Sequence, residues 1–350
     1  VAHKIKEAVQ KLKFLDSPIL ICSTMKKMTL AFVLPCYNEE AALPKTADAL
    51  KQKLAALKAD DRFKSIAFYK VYFVDDGSSD NTWHIIQNLA AEDPTFCGVK
   101  LAANRGHQNA LLAGLMTAKE KADAVISMDA DLQDDINAAD EMILKFLDGA
   151  DIVYGVRSER KRDTFFKRFT AESFYKFLRF FSDNPKNIIF NHADYRLMSR
   201  RALDGLSEYT EVNLYLRGII PSIGYRQDSV YYGRNERVAG VSKYPLKKMI
   251  AFAVQGITSL SVKPMRIITA LGFFIFLASI GMLIYFLIRH FTGKTIVGWS
   301  SLAVSIWAIG GLIQMSIGVL GEYIGKIYLE TKRRPRYIIE TVLDDSKTKI

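Results

Sequence analysis

Apolar and polar positions alternate in blocks through the first half of the chain. Thr29 to Leu34 is a short apolar run broken by Pro35, and Ala41 to Leu57 repeats its apolar positions at helical spacing. Ala67 to Val74 is rich in aromatic and β-branched residues and stops at Asp75-Asp76-Gly77. The pattern then predicts helices over Thr82 to Ala91, Gly106 to Lys119 and Asn137 to Leu147. Between and after them it predicts strands over Gly98 to Ala102, Ala124 to Met128 and Asp151 to Tyr154. Alternating strands and helices predict an α/β fold with a mostly parallel sheet. Ligands bind beyond the carboxyl ends of such strands. The polar clusters after Leu34, Val74 and Met128 are therefore expected to converge.

The second half changes character. Ile267 to Ile288 is 22 residues without a charge, and Thr295 to Gly321 is 27 more. A bilayer core takes about 20 apolar residues in a helix, so the two runs predict a transmembrane hairpin, with a buried core helix as the alternative. Lys243, Lys247, Lys248, Lys263 and Arg266 precede it, and Lys326, Lys332, Arg333, Arg334 and Arg336 follow it; the linker holds only Arg289 and Lys294. That asymmetry places both termini and the catalytic part in the cytoplasm of an inner or plasma membrane. Tyr285, Trp299 and Tyr323 lie near the span ends, where aromatic rings favour the interface. Tyr244 to Ser261 is expected to be an amphipathic interface helix, and Phe165 to Phe181 either a core-packing helix or one lying against lipid. The expected organisation is a leader over 1–24, a catalytic domain over 25–235, an interface helix over 236–264, two transmembrane helices over 265–325 and a cytoplasmic tail over 326–350.

The formal net charge of +11 calls for an anionic partner. The basic residues crowd beside the long apolar runs, so anionic membrane lipid explains them better than nucleic acid does. Cys22, Cys36 and Cys97 are too widely spaced for a zinc or redox motif.

Four clusters carry the chemistry. Asp129-Ala130-Asp131-Leu132-Gln133 presents two carboxylates one residue apart at a strand end, hard oxygen ligands of the kind that suit Mg2+ or Mn2+. Pro35-Cys36-Tyr37-Asn38-Glu39-Glu40 offers a flat ring and an acceptor for a nucleoside, or is a plain strand-to-helix turn. Asp75-Asp76-Gly77-Ser78-Ser79-Asp80 is a capping turn that also places Asp76 to meet a base. Asn104-Arg105-Gly106-His107-Gln108 opens a helix, with His107 either a surface residue or a substrate contact.

In this order and spacing the clusters resemble the family 2 glycosyltransferases of GT-A fold. With Asp151-Ile152-Val153-Tyr154-Gly155-Val156-Arg157, Asp194-Tyr195-Arg196-Leu197 and Arg234 to Tyr244, the set is similar to the polyprenyl-phosphate branch, which contains the dolichyl-phosphate mannose synthases and the bactoprenol glucosyltransferases. The resemblance covers about residues 29–335. It implies that Pro35, Tyr37, Glu39 and Asp76 bind the nucleoside, and that Asp129 sits near ribose and diphosphate. It also implies that Asp129, Asp131 and Gln133 hold the metal. Arg157 and Arg168 would meet the acceptor phosphate, Arg237, Ser242 and Lys243 would close over the diphosphate, and Asp194 would act as a base or orient the acceptor. The catalytic set on this view is Asp131, Asp194 and Arg157. The implied reaction is inverting transfer of one sugar, glucose first, from a nucleotide sugar such as UDP-glucose to undecaprenyl phosphate, for modification of cell-envelope polysaccharide. N-acetylhexosamine and mannose donors, a diacylglycerol-type acceptor and a non-catalytic scaffold are the alternatives. None of Trp83, Trp299 and Trp307 stands in the Gln-x-x-Arg-Trp setting of processive synthases. Gly310, Gly311, Gly318 and Gly321 would permit close helix contact in a homo-oligomer, such as a tetramer.

Overall fold

The computed structural model describes residues 27–158, 192–212, 214–233, 263–292 and 299–344. The first half forms strands β1 (Met28–Cys36), β2 (Ile66–Asp75), β3 (Phe96–Leu101), β4 (Ala124–Ser127) and β5 (Ile152–Arg157). Helices α1 (Leu43–Ala59), α2 (Thr82–Glu92), α3 (His107–Lys119) and α4 (Ala138–Leu147) connect them. Each overlaps the element that the hydrophobic pattern predicts. Beyond them come β6 (His192–Ser199), α5 (Arg200–Ser207), α6 (Leu216–Ser222) and β7 (Gln227–Tyr232), none of which the pattern had marked.

The sheet runs β7-β5-β6-β4-β1-β2-β3, with one more strand, β8 (Ile339–Leu343), on the far edge beside β3. β1 pairs parallel with β2 and β4, and β2 with β3. β6 is inserted antiparallel between β4 and β5, while β7 lies parallel to β5. β1 is central, and its alternate residues feed two cores. Leu30, Phe32 and Leu34 join the buried face of α1 (Leu43, Ala47, Leu50, Leu54, Leu57) and α4 (Met142, Ile143). Ala31 and Val33 face α3 (Ala110, Leu111, Ala113, Leu115) and α5 (Ala202, Leu203, Leu206). A strand covered on both sides has no polar face to show, which is why β1 is a continuous apolar run. Each leucine so buried stabilises the fold by about 1.5–3 kcal/mol. Gly114 lets α3 lie close on the sheet: a Cβ there would fall 2.5 Å from both Val33 Cγ1 and Val74 Cγ2.

Two long helices follow, α7 (Lys263–Phe291, 29 residues) and α8 (Trp299–Thr331, 33 residues). Counted over their described side chains alone, no helix is long and apolar enough to cross a membrane. The full sequence keeps its uncharged runs of 22 and 27 residues within and just ahead of these helices. The transmembrane hairpin is therefore a matter for proposal, not an observed part of the fold. Within the segment expected as a cytoplasmic tail, α8 continues to Thr331, and residues 339–343 return to the sheet as β8. Asp344 locks that return, with Lys121 Nζ at 2.6 Å, Lys70 Nζ at 3.5 Å and a hydrogen bond from Tyr72 Oη at 3.2 Å.

Candidate active site

The turns after β1 and β2 join into one surface. The Asn38 amide donates to Ser78 Oγ (3.0 Å), and the Ser79 amide donates to Asn38 Oδ1 (2.9 Å). The Glu39 amide donates to Thr82 Oγ1 (2.9 Å), and Glu40 accepts from the Asn81 amide (3.1 Å). Asn38 holds φ +54°, a left-handed conformation that asparagine tolerates. Tyr37 projects from this surface, 50% exposed, with Glu39 beside it partly exposed. Pro35, expected at the nucleoside, is buried within β1 and paired to Val74, one residue before the strand ends at Cys36. Asp76 is buried and accepts the amides of Arg105 (2.7 Å) and Gly106 (2.9 Å). It thereby fixes the turn that starts α3. Gly77, at φ +67°, lies so near that a Cβ would meet the Asn104 nitrogen at 2.7 Å.

The acidic loop leaves β4 at the same sheet end. Thr46 Oγ1, buried on α1, donates to the Ala130 carbonyl (2.7 Å) and pins the loop from below. Asp131 accepts the Gln133 amide (3.2 Å) across Leu132, whose φ of +53° is costly for a branched side chain, about 1–2 kcal/mol. Gln133 is 7% exposed, whereas Asp129 and Asp131 remain partly open.

His107, at the first turn of α3, reaches both this loop and β6. Its Nε2 lies 3.6 Å from Asp129 Oδ1 and 3.5 Å from Asp194 Oδ2. Asp194 is buried and also gripped by Arg196, and by Arg217 from α6 (Nη2 to Oδ2, 3.1 Å). Gln108, beside His107, accepts the Leu216 amide at the start of α6 (2.9 Å). Burial alone would raise Asp194, but the His107 hydrogen bond and the Arg217 and Arg196 charges hold it well below the ordinary carboxylate range. Burial lowers His107, yet the Asp194 hydrogen bond and the Asp129 charge outweigh it and leave the imidazole raised. For Asp129, burial first and then the charges of Asp194, Asp134 and Asp131 raise the carboxyl, against the pull of His107.

A second buried group closes the far side. Asp134 Oδ1 accepts from Arg157 Nη2 (2.9 Å) and Nε (3.1 Å) and from Tyr232 Oη (2.6 Å). Arg157, expected at an acceptor phosphate, is thus anchored on one edge at the end of β5. Arg168, Arg237, Ser242 and Lys243 lie outside the described residues. Among the described residues no three His, Cys, Asp or Glu side chains form a closed metal cage. Asp129 and Asp131 still fit a divalent ion. They are adjacent, partly open carboxylates whose mutual repulsion a cation would relieve, and such an ion commonly completes its shell with phosphate and water.

The structure therefore gathers Tyr37, Glu39, Asp76, Asp129, Asp131, Gln133, Arg157 and Asp194 at one end of the sheet. It adds His107, Arg196, Arg217, Asp134 and Tyr232. His107 was visible in the sequence as a helix-opening residue read first as structural, and Arg196 only as part of the Asp194-Tyr195-Arg196-Leu197 motif; Arg217, Asp134 and Tyr232 carried no local signal.

Strand-end carboxylates of this kind, at the carboxyl end of an α/β sheet, suit a site for a phosphate-bearing ligand and its divalent ion. Residues 31–206 match the model of glycosyl transferase family 2, and the chain belongs to that family. It is a glycosyltransferase. It is 49% identical to the uncharacterized glycosyltransferase YkoT of Bacillus subtilis over 311 residues, 89% of this chain and 91% of that one. It is 41% identical to the bactoprenol glucosyl transferase of Shigella phage SfX over 320 residues, 90% of this chain and 99% of that one. Against the prophage bactoprenol glucosyl transferase homolog of Escherichia coli the identity is 40% over 321 residues, again 90% and 99%.

Proposed function

We propose that this glycosyltransferase moves a single glucosyl unit from UDP-glucose to undecaprenyl phosphate at the cytoplasmic face of the membrane. One observation carries the reading. The paired carboxylates Asp129 and Asp131 share a sheet end with Arg157, in a chain alike along nearly its whole length to bactoprenol glucosyl transferases.

In this mechanism the nucleoside lies against Tyr37, Glu39 and the Asp76 turn. Asp129, Asp131 and Gln133 hold the diphosphate side, together with Mg2+ or Mn2+. A divalent ion bound there supplies charge stabilisation for the leaving nucleoside diphosphate. Arg157 meets the acceptor phosphate, joined by Arg168, Arg237, Ser242 and Lys243. That phosphate has a second pKa of about 6 by analogy with phosphorylated side chains, so it is already a nucleophile at neutral pH. Asp194, ionised and held by two arginines and His107, orients this wall of the site and removes no proton. A single displacement inverts the anomeric carbon.

The long helices supply the lipid side. At about 1.5 Å per residue, α7 and α8 extend about 43 and 50 Å, beyond a hydrocarbon core of about 30 Å. Phe273, Phe274, Ile284, Ile306 and Ile313 are exposed along them. Because β8 rejoins the sheet that precedes α7, both ends of the helix pair lie on one side, which favours two crossings. The basic flanks favour the cytoplasmic side and contact with anionic lipid. Assembly through the helix glycines into a homo-oligomer belongs to the same proposal.

The test is radiolabelled transfer to undecaprenyl phosphate in detergent from UDP-glucose, UDP-N-acetylglucosamine and GDP-mannose, with and without EDTA. Glucose transfer lost on chelation and restored by Mn2+ or Mg2+ is expected. No transfer from any donor overturns the function, and an unimpaired Asp131→Ala variant overturns the metal assignment.

A further inference from the structure

Asp134 follows the donor carboxylates in sequence, but its side chain points elsewhere. It is almost wholly buried, 1% exposed at the side chain. A buried carboxylate is expensive unless it is paired. Here Oδ1 takes three donors, two from Arg157 and one from Tyr232, while Oδ2 has no hydrogen-bond partner among the described residues. The donors come from a single rung of the parallel β5–β7 ladder, where Arg157 pairs with Tyr232. The Tyr232 ring packs edge-on against Tyr195 at 5.4 Å, and Tyr195 Oη donates to the Asp135 carbonyl (3.1 Å). The loop that carries Asp129 and Asp131 is thus fastened to β5, β6 and β7 by consecutive residues, Asp134 through its side chain and Asp135 through its backbone.

The consequence for Arg157 is geometric. A guanidinium is a rigid planar fork, and its Nε–Nη2 edge is committed to Asp134. Fixing one edge fixes the plane, and with it the direction of the opposite edge. Arg157 is also 23% exposed at its side chain, so it is reachable from outside while its anchor is not.

We propose that Asp134 and Tyr232 are positioning residues for the acceptor: they aim the Arg157 guanidinium at the acceptor phosphate and tie that aim to the donor loop. The proposal rests on the acceptor reading given above. Neither residue touches substrate. Their loss loosens the aim of Arg157 and weakens phosphate binding, while the Thr46–Ala130 and Tyr195–Asp135 hydrogen bonds still hold the donor loop and the nucleotide surface around Tyr37 and Asp76 stays as it was.

The experiment is steady-state kinetics on full-length Asp134→Asn and Tyr232→Phe in detergent, varying undecaprenyl phosphate and UDP-glucose separately. UDP binding and a thermal melt are recorded alongside. Loss of a charge-assisted pair is expected to raise the acceptor KM about tenfold or more in Asp134→Asn. Loss of the single phenol hydrogen bond raises it about fivefold in Tyr232→Phe, with the donor KM within about twofold in both. A merely structural role would reduce the active fraction, lowering kcat with both KM values unchanged, and that result overturns the proposal. An equal rise in both KM values overturns it too. If Asp134→Asn fails to fold, Tyr232→Phe, which keeps the ring packing, decides alone. A wild-type enzyme inactive on undecaprenyl phosphate sinks the acceptor reading itself. An active wild type whose variants keep the acceptor KM sinks only the positioning role.

Discussion

Replacing Asp194 by asparagine separates a base from a structural anion. Arg196 on β6 is 1% exposed, and Asp194 is its nearest counter-charge. Asparagine keeps the shape and one acceptor oxygen but removes the charge, leaving the Arg196 guanidinium buried without its compensating anion. Breaking a buried ion pair from one side costs about 3–5 kcal/mol. The retained hydrogen bond and the partly exposed Arg217 place this site at the low end, about 3 kcal/mol, a large share of a typical 5–15 kcal/mol of stability. At about 2–4 °C per kcal/mol for a domain of this size, the melting temperature should fall by about 6–12 °C. The assay is thermal denaturation in detergent by intrinsic fluorescence, with transfer activity measured well below the transition. Changing the pair together, Asp194→Leu with Arg196→Met, should recover most of the loss, since an apolar replacement of both partners is often neutral. A melting temperature within about 2 °C of wild type, combined with abolished turnover, would refute the reasoning and restore Asp194 as a base.

Three further outcomes are expected. Asp194 has a depressed native pKa, so its contribution to stability is present above the unfolded value of about 3.9 and is lost as pH falls through the native one. Melting and turnover should therefore show no step from this group between pH 5 and pH 9; an acidic limb that disappears in Asp194→Asn would contradict this. Thr46→Val leaves the Ala130 carbonyl without its donor and should cost about 1–3 kcal/mol, with a raised donor KM as the acidic loop loosens; an unchanged melt and donor KM would count against Thr46 as the pin. Gly114→Ala drives a methyl to 2.5 Å from two valines and should destabilise by about 1–3 kcal/mol, read as a lower melting temperature.

The half of the fold that was legible in the sequence is the half whose strands are covered on both faces. β1, the second half of β2 and β4 are mostly apolar because helices lie on each side of them. β6 was not legible as a strand, since Asp194 and Arg196 look like surface charges; only their burial, two residues apart on one strand, shows that they neutralise one another. β7, with exposed Gln227 and Tyr231, and β8, a five-residue edge strand, lack a core-facing pattern strong enough to stand out. The acidic loop and Asp76 turn were found because sequence-adjacent carboxylates mark a strand end. The Asp76 carboxylate itself turned out to hold the start of α3, a job visible only once the third motif folds back on the second. Arg217 and Tyr232 come from segments far along the chain, so no local spacing could link them to Asp194 or Asp134.

The position of β8 also orders events in time. β3 is made early, but among the described residues its outer edge is covered by residues 339–343, which are made after both long helices. During synthesis the nascent sheet therefore carries an open strand edge, the kind of surface that recruits other chains. The edge is capped only when the last strand arrives and Asp344 meets Lys70 and Lys121. Completion of the catalytic sheet thus waits on the helices: a chain stopped before residue 339 keeps its chemistry-bearing strands and leaves β3 uncovered.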